Sequence, residues 1–229
     1  MTPDAAIAAL EAAAVPGRAG EMAAYHKTAL RRLGTPNPEI NALSQEWRRS
    51  LPLDARLALA DGLWRSGVFE ASIAAAKLLT QARIPEDTEV WRLIASWVPE
   101  FDGWAIADHV ASAGGRRLAA DPSRLDEVET WLAADHLWTR RAALVFTLPF
   151  AKGRHPDATT QAVRDRVLGW AEQLLPDRAW FIQKAIAWWL RELSKHDPDR
   201  VRAFLDTHGT EMKAFARKDA ARLLPATGA

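Results

Sequence analysis

The chain has 229 residues, 48% hydrophobic and 26% charged, with a formal net charge of +1; that is the balance of a globular, water-exposed fold and excludes a polycation. It has no cysteine, which excludes disulfides, thiolate metal sites and a cysteine nucleophile. No run of about 18 uncharged apolar residues suggests a transmembrane helix, and Asp4 and Glu11 stand where a secretory leader needs basic residues, so a cytoplasmic location is expected.

In chain order, residues 3–14 are Ala-rich behind an early proline and predict a helix, broken at Pro16-Gly17. Helices are predicted next over Glu21–Leu33, Pro38–Arg49, Leu53–Arg65 and Val68–Ala82. The third of these carries an apolar stripe at Leu57, Leu59, Ala60, Leu63 and Trp64. Pro85–Val98 follows with Val90, Trp91, Ile94 and Trp97 at helical spacing. Gly103–Ala113 is then expected to stop at Gly114-Gly115. Asp121–Ala134 and Leu137–Phe150 form the next pair, and Lys152–Thr160 reads as a polar loop. Gln161–Leu175, Trp180–His196, Pro198–His208 and Thr210–Leu224 complete an all-α chain, since no stretch alternates with period two.

Charge is unevenly spread. Residues 26–65 hold seven Lys and Arg against four acids, whereas residues 85–102 hold five acids against Arg92 alone. A basic face for phosphates is compatible with this count and not established by it. Eleven tryptophans accompany one tyrosine, and most should be core because of the area each one buries.

Short helices joined by short breaks predict a helical-repeat solenoid over residues 1–229, one domain of paired antiparallel helices. The stretches Val68–Ile73, Leu137–Ala143 and Phe181–Ile186 share an apolar-x-polar theme. The position of Ala71 in the first becomes Arg141 and Lys184 in the later two. Cations repeated on one side suit a phosphate backbone along a concave face; a solvated basic face explains the two residues equally well.

Gly-rich phosphate loops, HExxH and Gly-x-Ser-x-Gly are missing. The six histidines are scattered without ligand spacing, most of them expected at the surface or at helix ends. Neither a metal nor a cofactor is expected.

Within Phe101–Asp108, Trp104 and Asp108 stand four apart, so a helix would project both from one face. A structural aspartate beside a core tryptophan has the same spacing. The segment Phe181-Ile182-Gln183-Lys184-Ala185-Ile186-Ala187-Trp188-Trp189-Leu190-Arg191-Glu192, followed by Asp197-Pro198, resembles the DNA alkylation repair family, the AlkD-like alkylpurine DNA glycosylases. Met22-Ala23-Ala24-Tyr25 with Leu33-Gly34 and Pro38 is similar to that family's first repeats. Trp104-x-x-x-Asp108 is similar to its Trp and Asp signature, and Trp138–Ala143 to its phosphate-contacting Arg segment.

The resemblance implies a HEAT-like solenoid that hydrolyses the N-glycosidic bond of cationic N3- and N7-alkylated purines in double-stranded DNA without extruding the nucleotide. It implies Asp108 as the catalytic carboxylate, with Trp104, Trp188 and Tyr25 as cleft aromatics and Arg141 and Arg191 on the DNA backbone. Lys184 joins them through the repeat pattern. It also implies a nucleoid-associated monomer with no obligate protein partner. Three departures stand out: Ala105 where the family often has Asp, Asn41 where an Arg is usual, and the Lys152–Thr160 loop. Ala105 and Asn41 also suit a second reading, a DNA-binding relative without catalysis, and a third is a HEAT-like scaffold that uses its groove for a protein partner. Without the resemblance, Trp188 or its neighbour Trp189 would be read as core, and Arg191 as a helix-end cation.

Overall fold

The computed structural model describes residues 1–26 and 28–225, and among these every regular element is helical apart from one isolated bridge, Arg31 to Val68. The chain forms two compact units, Met1–Ala120 and Asp121–Ala229.

The first unit is built from α1 (Pro3–Ala12), α2 (Arg18–His26), α3 (Asn37–Ser50), α4 (Leu53–Trp64), α5 (Phe69–Leu79), α6 (Thr88–Trp97) and α7 (Trp104–Ala120). Thr2 caps α1, its hydroxyl accepting from the Ala5 amide at 3.2 Å, ahead of Pro3 in the first turn. The centre is α5, whose alanines at 71, 74, 75 and 76 are fully buried and let α3, α4 and α7 pack close around it. On α6, Val90, Trp91, Ile94 and Trp97 are buried at the spacing of one helical face.

Two sequence expectations change here. The helix expected over Glu21–Leu33 ends at His26, and residues 28–33 instead lie against the start of α5, where the Phe69 amide donates to the Arg31 carbonyl at 2.9 Å. Glu70 explains this: it is fully buried, and its carboxylate accepts from the amides of Leu33 (3.1 and 3.0 Å) and Gly34 (2.8 Å). Gly34 sits at φ +90°, where a Cβ would come within 2.9 Å of the Ala19 nitrogen. The second change is α7, which runs straight through Gly114-Gly115. Both glycines are buried, so packing outweighs their helix propensity. Farther on, buried Arg117 bonds Asp87 at 3.0 Å and the Ala82 carbonyl at 2.9 Å.

The second unit contains α8 (Leu125–Thr130), α9 (Leu137–Phe146), α10 (Leu148–Ala151), α11 (Ala158–Gln173), α12 (Trp180–Leu193), α13 (Pro198–His208) and α14 (Ala214–Ala221). The expected helix over Asp121–Ala134 is divided by 3-10 turns at Pro122–Arg124 and Trp131–Ala133. α12 is its centre, packed by α9, α10 and α14. The polar member of the shared theme has the same task in two helices. Gln183, fully buried, donates to the carbonyls of Leu175 (3.1 Å) and Asp177 (3.0 Å) and accepts from the Lys213 amide (2.9 Å). Like Glu70, it ties down loop backbone ahead of helices, here the segments before α12 and α14.

Candidate functional site

In the first unit, Trp104 is the first residue of α7 and Asp108 lies one turn later, both half-buried. A rise of about 1.5 Å per residue separates them by about 6 Å along the axis and keeps them on one face. They open into a cavity of about 380 Å³ walled also by His26, Phe69, Ile73 and Ala105. Tyr25 stands at its rim, 69% exposed, with its ring edge-on to Trp104 at a centroid distance of 6.0 Å.

The wall of the cavity is a run of rings. His26 packs on Trp104 at 5.3 Å and on Phe69 at 4.8 Å, and the Arg32 guanidinium lies 4.6 Å above Phe69. Arg32 is held there by the Thr28 hydroxyl at 2.6 Å and by the Leu30 carbonyl. The loop therefore brings its cation to α5 because Glu70 anchors that loop. Gly103 permits the close pass, since a Cβ there would meet the Thr28 methyl at 2.9 Å.

Sequence reading placed most histidines at the surface or at helix ends; His26 and His109 line this cavity together. Desolvation, helped by the nearby Arg32 charge and opposed by Glu70, pushes the His26 pKa below the usual histidine value. For His109, desolvation and then the Lys77 charge push it down to about 4. At neutral pH His109 is thus uncharged. A signal for the pair existed in hindsight: His26 follows the rim tyrosine and His109 follows the signature aspartate. Among the described residues no cluster of three or more His, Asp or Glu could hold a metal ion.

In the second unit, Trp189 is fully buried, its indole N–H donating to the Thr147 hydroxyl at 3.1 Å, while Trp188 is half-buried. The Lys152 ammonium lies 6.0 Å from the centre of the Trp188 ring. Arg141 is buried, with its guanidinium carbon 5.8 Å from the Trp138 ring centre. Lys184 is exposed and sits 4.6 Å over the Trp180 ring. The repeat position that pairs them therefore has different surroundings in α9 and α12. Arg191 is ion-paired with Asp219 of α14. The Lys152–Thr160 loop is shorter than expected, because Asp157 caps α11 by accepting from the Thr160 amide at 2.7 Å.

A cavity with aromatic walls and one carboxylate on a helix face can stabilise a developing organic cation. The family model for DNA alkylation repair enzymes matches residues 6–224. No curated protein matches the chain. A solved structure described as a predicted DNA alkylation repair enzyme from Enterococcus faecalis is 24% identical, with a TM-score of 0.76 over 94% of this chain and 98% of its own. AlkD2 from Streptococcus mutans is 19% identical, with a TM-score of 0.61 over 83% of this chain and 91% of its own. The all-helical repeat fold expected from the sequence is the fold of these structures.

Proposed function

Because the chain belongs to the DNA alkylation repair enzyme family, we propose that it is a DNA glycosylase acting on cationic N3- and N7-alkylated purines in double-stranded DNA, as one repeat domain and as a monomer. The observation that carries this reading is the Trp104–Asp108 face of α7, opening with His26 into one cavity, with Tyr25 edge-on to Trp104 beside it.

Alkylation at N3 or N7 puts positive charge on the purine. When the C1′–N bond breaks, its electron pair passes to the base and cancels that charge, so no acid has to protonate the leaving group. The sugar becomes oxocarbenium-like, as in glycoside hydrolysis. The Asp108 carboxylate stabilises that cation where it forms and orients the water whose oxygen bonds to C1′. Trp104 offers a ring face, and such contacts are worth about 0.5–2 kcal/mol. Uncharged His109 adds no second cation to a wall that already carries Arg18. A duplex-bound lesion handled on an open face needs no nucleotide extrusion.

In the second unit, Trp188 is assigned as a cleft aromatic, with Arg141, Lys184 and Arg191 as backbone-holding cations. The support for Trp188, Arg141 and Arg191 is the family resemblance of their segments, and that for Lys184 is the repeat pattern.

The test is base release from defined duplexes. The reading expects free 7-methylguanine or 3-methyladenine from methylated duplex and no uracil from a uracil-containing one, because a neutral base is a far poorer leaving group. Equal release from both, or none from either, refutes it.

A further inference from the structure

Beside the Trp104–Asp108 cavity lies a second pocket of about 370 Å³, and His109 lines both. It is formed by α3, α5 and α7, with Arg48, Lys77 and Arg116 as its cations and no acidic residue in its lining. None of the three is ion-paired with a described residue. Arg48 spends one nitrogen on the end of α5, donating to the carbonyls of Thr80 (2.9 Å) and Lys77 (3.3 Å). The Lys77 ammonium and the Arg116 guanidinium remain for a ligand.

Like charges crowd here. Lys77 is half-buried and its pKa is lowered by desolvation. Desolvation and then the Lys77 charge depress His109, and desolvation and then the Arg48 charge depress Arg56. The hydroxyls of Ser44, Thr80 and Ser112 already donate to carbonyls one turn back in their own helices. A pocket with three uncompensated cations and no hydroxyl to spare fits an anion presenting several acceptor oxygens.

We propose that this pocket is a socket for one phosphodiester of the bound duplex, displaced from the reacting sugar, and that it sets the register of the DNA on the first unit. The proposal rests on the glycosylase reading for what the duplex is doing there. Arg116 lies eight residues beyond Asp108 on α7, about 12 Å at 1.5 Å per residue, and its side chain leans back toward the helix start. For a duplex lying along α7, at about 3.4 Å of axis per phosphate on one strand, the socket takes a phosphate three or four nucleotides from the lesion. Asn41, in the same lining, leaves the charge to these three residues.

The experiment is binding of wild type, R116Q and K77Q/R116Q to duplexes in which single phosphates are replaced by uncharged methylphosphonates, read by fluorescence anisotropy at several salt concentrations. Arg116 is exposed, so R116Q keeps the fold if K77Q does not. With an unsubstituted duplex, the slope of log K against log salt should fall by about 1 in the double variant, since each phosphate contact contributes about 0.9. A methylphosphonate three or four nucleotides from the lesion should weaken wild type several-fold and leave the double variant unaffected, while methylphosphonates elsewhere weaken both alike. Additive effects at every position, an unchanged slope, or no duplex binding overturn the socket. Base release is not part of this readout. A wild type that binds with this pattern but releases no base refutes the glycosylase reading and keeps the socket.

Discussion

The imidazole of His26 lies against the indole of Trp104, with ring centroids 5.3 Å apart and planes inclined by 44°. It also packs on Phe69 at 4.8 Å, so the histidine is a spacer that fixes the tryptophan relative to α5. Each such ring pair is worth about 0.5–1.5 kcal/mol. H26A should slow base release on the order of tenfold by freeing Trp104, whereas H26F should retain most activity because it keeps both ring contacts. Single-turnover rates of the two variants decide it. Equal losses would mean that the imidazole nitrogens matter rather than the ring.

Glu70 holds the loop that carries Arg32. Replacing its buried carboxylate strands the Leu33 and Gly34 amides, each of which bonds it at 3.1 Å or less. Hydrogen bonds to a charged group are worth about 1.5–3 kcal/mol, so E70A should destabilise the protein by about 2–4 kcal/mol in urea titration. Hydrogen exchange should rise first at Leu33 and Gly34. Protection unchanged at those amides would contradict the anchoring role.

His109 gives a pH signature. Its pKa is near the ordinary 6.5 when unfolded and about 4 when folded. Between those values the unfolded state binds the proton and the folded state does not, so stability is present in full above pH 6.5 and is lost as pH falls through about 4. The size is about 3 kcal/mol. Thermal melting of wild type should therefore fall more steeply than that of H109Q from pH 6.5 to 4, with Lys77 and Asp108 unchanged in both. Parallel curves would show that the imidazole does not titrate in this way.

Trp189 packs with its N–H on Thr147 at 3.1 Å, and W189F leaves that hydroxyl without its donor inside the core. A loss of about 1–2 kcal/mol in stability, with base release per folded molecule unchanged, is expected. W188A should show the opposite pattern, near-normal melting with slowed release.

How far the sequence could be read follows from what each signal measures. Apolar periodicity reports burial, and it placed α4, α6 and α12 to within about three residues at each end. It failed at Gly114-Gly115, where glycine marks close packing rather than a break, at Glu21–Leu33, where the stop comes from Glu70, a residue far along the chain, and at Leu137–Phe150, which divides at Thr147 ahead of Pro149. The spacing of Trp104 and Asp108 was legible because both lie on one helix. The partnership of His26 and His109 was not, since it depends on α2 and α7 meeting at α5. The cationic pocket escaped for the same reason, as Arg48, Lys77 and Arg116 are each ordinary charges on separate helices.

The account turns on the Asp108 carboxylate beside Trp104, and single-turnover release of 7-methylguanine from a defined methylated duplex by D108N against wild type tests it most directly. Loss of one preorganised charged group of this kind costs about 10²–10³ in rate, so D108N should fall by at least about 100-fold while its duplex affinity stays within about threefold of wild type. A D108N protein that binds normally and releases the base at the wild-type rate would contradict the account.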